Sequence, residues 1–223
     1  MTPLDFITIE TGPNPQALVI WMHGLGADGN DFVPIVDELN LDGCPDIRFI
    51  FPHAPMIPVT INGGYVMRAW YDILSSDLVR REDEAGLRTS QLQIETLLAQ
   101  QAALGIPAER TILAGFSQGG AMTLQVGLRY AERLAGLIVL SAYAPLIDVL
   151  PRELQSVQTQ TPIFMAHGTE DPIVPYTRGQ ATRDALQALH CQVEWHEYPM
   201  PHSVCWQEIS AIGQFLKKVL IPN

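Results

Sequence analysis

Short apolar runs recur along the chain, each cut by glycine or proline. Ala17–Met22 (ALVIWM), Ile47–Phe51, Thr111–Phe116 (TILAGF), Leu137–Leu140, Ile163–Ala166 and Val193–Tyr198 each read as a strand, and Phe6–Ile9 as a weaker one. Most of these runs are continuous rather than alternating. A strand covered on both faces has that signature, because both sets of side chains meet protein, and it favours a parallel central sheet. Between the runs the apolar positions shift to helical spacing. Leu87, Ile94, Leu97, Leu98 and Leu104 share one face; Ser90 with Gln93 forms a capping box if the helix starts there, and Gly105 with Pro107 stops it. Ala121–Tyr130 reads as a second helix. A third carries Ala181, Ala185, Leu186 and Leu189, and Val204–Val219 gives the last. Strand and helix alternating at this spacing predict βαβ units, and so an α/β fold: a mostly parallel sheet with helices on both faces. The segment from His53 to Arg81 is the one long irregular stretch, and loops of that length are commonly functional.

Composition narrows the choice of class. With 223 residues, the chain fits one domain over 1–223, and 47% apolar residues exclude a disordered chain. The formal charge of −11 repels phosphate backbones and anionic lipid, so nucleic acid is not expected as a partner. Cys44, Cys191 and Cys205 are scattered and form no CxxC pair, so neither a disulfide framework nor a zinc site is expected. Met1–Asp5 lacks the basic and apolar regions of a secretory signal, and no apolar run reaches the roughly 18 residues of a membrane span. The expectation is a cytoplasmic protein with free thiols.

The chemistry centres on Gly115-Phe116-Ser117-Gln118-Gly119-Gly120, which lies between a strand and a helix. A G-x-S-x-G turn in that context forces the serine into strained backbone and lifts its hydroxyl to the carboxyl edge of the sheet; Gly115 and Gly119 give it room. The following helix aims backbone N–H groups at a developing oxyanion. A phosphate loop does not fit, because the Gly-Lys-Ser/Thr ending is missing.

A serine nucleophile needs a base, and the base needs an orienting acid. In a hydrolase of this architecture they follow in the order serine, acid, histidine. Asp171 lies just past the run Ile163–Ala166 and is fixed by Pro172. Its neighbour Glu170 is the less suitable of the two, and Asp148 is the fallback. Of the later histidines, His190 ends a helix and His196 sits inside a strand, whereas His202 falls in the turn after the last strand, at the correct edge. A metal site from His167, Asp171 and His202 ranks below this arrangement, because the base needs an acid beside it. A second oxyanion donor should come from an early strand–loop junction, and His23-Gly24-Leu25-Gly26 supplies one. The donors are assigned to the N–H groups of Leu25 and Gln118. Gly24, Gly26 and Gly29 also match a dinucleotide fingerprint, but no acidic residue ends the second strand about 20 residues on.

Taken together, HGLGADGNDF at 23–32, WYDI at 70–73, GFSQGGAM at 115–122, HGTEDPIVP at 167–175 and the His-Ser of PHSVCW at 201–206 resemble the small carboxylesterase and acyl-protein thioesterase (phospholipase/carboxylesterase) family of α/β-hydrolases. VTINGGYVMRAWYDI at 59–73 is more similar to the bacterial carboxylesterase branch. The resemblance implies an α/β-hydrolase fold with Ser117, Asp171 and His202 as nucleophile, acid and base, Leu25 and Gln118 as oxyanion donors, and a weak homodimer. The residue-based choices coincide with these. Neither metal nor cofactor is expected.

The implied activity is hydrolysis of short- to medium-chain carboxylic esters, with acyl-protein thioesterase or lysophospholipase activity as the alternative. Met67, Trp70, Tyr71 and Leu74 form an aromatic and apolar group that either receives the acyl chain or packs the loop on the domain. With no long amphipathic lid helix in the loop, an open site is expected. A histidine base works in its neutral form, so kcat/KM is expected to rise with pH through roughly 6–7 and then level off.

Overall fold

The computed structural model describes residues 3–75 and 82–221. In chain order the main elements are β1 (Phe6–Glu10), β2 (Ala17–Met22), α1 (Ile35–Glu38), β3 (Ile47–Pro52), β4 (Met56–Val59), β5 (Tyr65–Arg68), α2 (Glu84–Ala103), β6 (Thr111–Phe116), α3 (Gln118–Gly127), β7 (Gly136–Leu140), α4 (Leu150–Glu153), β8 (Pro162–Gly168), α5 (Tyr176–Ala188), β9 (Gln192–Tyr198) and α6 (Trp206–Leu220).

Seven strands form one sheet in the order β1-β3-β2-β6-β7-β8-β9. Among the described residues of this sheet only β1 runs antiparallel, against β3, and every other pairing is parallel. The continuous apolar runs now have their explanation. Successive side chains of a strand point to opposite faces, and both faces are covered. From β2, Leu18, Ile20 and Met22 pack with α2, α3 and α5, while Ala17, Val19 and Trp21 pack with α1 and α6. The parallel strands share a direction, so the loops leaving β2, β6, β8 and β9 gather at one carboxyl edge. In open α/β sheets that edge is where ligands bind.

Three details depart from the sequence pattern. The 53–81 stretch is not irregular throughout: β4 and β5 pair as an antiparallel hairpin, with Met56 opposite Arg68 and Val59 opposite Tyr65. Asn62-Gly63-Gly64 makes its turn, both glycines at positive φ (67° and 80°), and such a run is a hairpin cue. Residues 76–81 lie outside the described part. The capping box at Ser90 and Gln93 does not form, because Asp83 caps the helix earlier by accepting the Gly86 N–H at 2.9 Å. Ser90 then falls mid-helix, where its hydroxyl donates to the Trp70 carbonyl. Leu104 leaves the apolar face as α2 ends and is 69% exposed, whereas Leu97 is 3% exposed.

That contrast sets a test on one helix. Leu97→Ala should cost about 2–5 kcal/mol, because it leaves a cavity, and Leu104→Ala less than about 0.5 kcal/mol. Urea denaturation of both variants measures the difference.

Candidate active site

Ser117 sits between β6 and α3 with φ 55° and ψ −118°. A non-glycine residue there carries about 1–3 kcal/mol of strain and persists only when its surroundings fix it. They do so from both sides. The Ser117 N–H donates to the Leu140 carbonyl at the end of β7 (2.9 Å), and the Ala121 N–H donates to the Ser117 carbonyl (3.0 Å). The turn is packed backbone on backbone. A Cβ on Gly115 would lie 2.3 Å from the Gly119 carbonyl, and one on Gly119 would lie 2.1 Å from the Met22 oxygen. Glycine at both positions is therefore a steric requirement of bringing the serine against β2.

Asp171 follows β8, and its carboxylate is fully buried. Its Oδ1 accepts the N–H groups of Ile173 (2.8 Å) and Val174 (2.9 Å), and its Oδ2 accepts His202 Nδ1–H at 2.6 Å. One oxygen is thus occupied by backbone, and the other fixes the imidazole tautomer, leaving His202 Nε2 as the acceptor. The His202 ring packs on Phe116, the residue before the serine, with centroids 4.7 Å apart. Two backbone bonds tie the Asp171 and His202 loops together: Thr169 N–H to the Tyr198 carbonyl (2.8 Å) and Glu170 N–H to the Met200 carbonyl (3.2 Å).

The other candidates lie elsewhere. Glu170 and Asp148 are exposed. His190 occupies a left-handed turn after α5, with φ 63°. His196 stacks on Phe164 within β9 and pairs with Glu194. His167 is buried beside the site. Its Nε2 approaches Asp171 Oδ2 at 3.5 Å and the Val174 carbonyl at 2.8 Å, and burial lowers its pKa, so it stands as a neutral donor to that carbonyl.

The Gly24–Gly26 loop lies alongside Ser117: a Cβ on Gly24 would sit 3.5 Å from the serine Cβ. Gln118 opens α3, so its N–H has no carbonyl within the helix to bond. The side chain of Gln118 is buried and clamps the 70–71 segment, accepting Trp70 N–H at 2.8 Å and donating to the Tyr71 carbonyl at 2.7 Å. Trp70 Nε1–H donates to the His23 carbonyl at 2.9 Å. The His23 ring is buried, with Nδ1 2.7 Å from the Gly24 carbonyl and Nε2 3.1 Å from the Ala54 N–H. Desolvation lowers its pKa from 6.5 to about 4, so the ring is neutral, with its proton on Nδ1.

The four pocket residues separate. Trp70 and Tyr71 are buried, Trp70 in the core packed on α2 and Tyr71 against the Tyr143 hydroxyl (3.0 Å), so both pack the loop on the domain rather than line an open surface. Met67 is half-buried and reaches the glycine loop, where its Sδ would lie 3.6 Å from a Cβ on Gly26. Leu74 lines a small cleft with Tyr143 and Glu82. The support role of His23 and of the Gln118 side chain went unread in the sequence. The available signal was a histidine ending a fully apolar strand just before a glycine loop.

Residues 5–220 match the family described as Phospholipase/Carboxylesterase. Acyl-protein thioesterase 1 of Neurospora crassa is 43% identical over 92% of this chain and 87% of its own length. Among solved structures, Arabidopsis thaliana SOBER1 is 31% identical with a TM-score of 0.86, covering 92% of this chain and 99% of its own. Esterase PE8 is 28% identical with a TM-score of 0.84, covering 98% of this chain and all of its own (100%).

Two outcomes follow from this geometry. Gly119→Ala should cost more than about 3 kcal/mol or prevent folding, because the clash is with backbone that cannot rotate away. The second concerns His23, whose folded pKa lies below its unfolded value. Its stability contribution is full above pH 6.5 and is lost as pH falls toward 4, by roughly 2 kcal/mol between pH 7 and 5. Denaturation at both pH values should show His23→Asn lacking that part of the acid loss.

Proposed function

The chain belongs to the phospholipase/carboxylesterase family of α/β-hydrolases, which are serine hydrolases, and on that premise we propose that it hydrolyses short- to medium-chain carboxylic esters through an acyl-enzyme on Ser117. The observation that carries this is the fully buried Asp171 carboxylate, 2.6 Å from His202 Nδ1, beside a serine in a strained turn.

In the first step Ser117 Oγ attacks the ester carbonyl while His202 Nε2 takes its proton. Asp171 holds the tautomer and stabilises the imidazolium. The oxyanion of the tetrahedral intermediate receives the N–H groups of Leu25 and Gln118. Collapse expels the alcohol, which His202 protonates. Water then attacks the acyl-enzyme, with His202 as the base, and releases the acid and the free serine.

A second reading is hydrolysis of acyl thioesters by the same residues, favoured by the 43% identity to an acyl-protein thioesterase. A thiol leaves more readily as the anion than an alcohol does, so less is asked of His202 as an acid.

Rates across acyl chains from acetyl to palmitoyl, on matched p-nitrophenyl esters and S-acyl peptides, test both readings. Ser117→Ala should lower kcat at least 10⁴-fold, within the range seen for triad serines, and abolish fluorophosphonate labelling. Activity surviving that substitution would overturn the serine mechanism. Palmitoyl esters outpacing butyryl esters would overturn the chain-length reading, and faster turnover of S-acyl peptides would select the thioesterase.

A further inference from the structure

The Leu25 N–H serves an oxyanion only if it points at the reacting carbonyl. It shares a peptide unit with the Gly24 carbonyl, and a trans-planar peptide points its C=O and N–H in opposite directions. Whatever holds the Gly24 oxygen therefore aims the Leu25 N–H. That oxygen accepts His23 Nδ1–H at 2.7 Å and, more weakly, the Ala27 N–H at 3.3 Å. Gly24 has no side chain to oppose rotation of this unit, so the orientation comes from the bonds made to it.

The ring that makes the stronger bond is itself fixed. His23 Nε2 accepts the Ala54 N–H, and the His23 carbonyl is gripped by the Trp70 indole. The Trp70 backbone N–H is held in turn by the Gln118 side chain. Gln118 carries the other proposed donor, whose own peptide unit is fixed by the Ala121 N–H on the Ser117 carbonyl (3.0 Å). One buried chain of hydrogen bonds thus runs between the two halves of the oxyanion site. A bond to a carbonyl also polarises its peptide and strengthens the N–H as a donor.

We propose that His23 is a positioning residue that locks the Gly24–Leu25 peptide plane, so that the Leu25 N–H faces the oxyanion formed at Ser117. This rests on the serine mechanism proposed above. His23 touches no substrate and acts only through the peptide it holds.

The test uses His23→Leu, which removes both ring bonds, and His23→Asn, whose amide nitrogen occupies nearly the place of Nδ1 and can still donate to the Gly24 oxygen. For His23→Leu, kcat should fall roughly 30- to 300-fold, up to the range for losing one oxyanion donor, with KM within about threefold. The Ki of a trifluoromethyl ketone, which forms an oxyanion on the serine, should rise in parallel, and that of the product carboxylic acid should stay unchanged. His23→Asn should keep kcat within about threefold of the parent enzyme. It carries the test alone if His23→Leu does not fold. Folded His23→Leu with undiminished kcat, or equal losses for the ketone and the product acid, would overturn the proposal, as would a 30-fold loss in His23→Asn. Ser117→Ala run alongside separates the two ideas: if it remains active, the serine mechanism itself has failed.

Discussion

The first turn of α3 rests directly on the last residues of β2, with nothing but backbone between them at Gly119 and Met22. That contact sets the distance between the Ser117 turn and the glycine loop that follows β2. It also explains why the turn contains glycines and why Ser117 takes a backbone conformation it would not adopt in isolation. Much of the remaining site serves to keep these two backbones in register. The Leu140 carbonyl holds the serine from the β7 side, and the Gln118 side chain reaches to the 70–71 segment, which holds the His23 carbonyl.

Buried ionisable groups supply a second layer. Asp171 is compensated by two backbone amides and an imidazole, so its burial leaves no acceptor idle. Glu208 differs. It sits in the first turn of α6, fully buried, and desolvation, only partly offset by the Cys205 backbone N–H, pushes its pKa up to about 8. A carboxyl kept neutral in the fold costs stability as pH rises from its unfolded value toward 8, because the unfolded chain ionises first. His23 acts in the opposite sense on the acid side. The two together place the range of greatest tolerance between them.

The sheet was legible in the sequence because burial on both faces writes an unbroken apolar run, and the Asp171–His202 pair because each member falls just past such a run. The elements that were not legible are those whose signal is local or tertiary. The Asn62-Gly63-Gly64 turn was masked by the exposed apolar residues around it, Ile61, Tyr65 and Val66, which break the inside–outside alternation of a hairpin. Asp83 was overlooked as a cap because Ser90 offered a motif seven residues later, and choosing between them depends on where residues 70–72 lie. Trp70 gave an ambiguous reading for a good reason: an aromatic side chain in a loop serves a pocket or a core equally well, and only its packing on α2 decides.

The loops that carry Asp171 and His202 are joined by main-chain hydrogen bonds, at Thr169 to Tyr198 and at Glu170 to Met200. Such a joint is nearly indifferent to the side chains that decorate it. Side chains on this rim can therefore be exchanged, and so change what approaches Ser117, while the main chain keeps Asp171 and His202 in alignment.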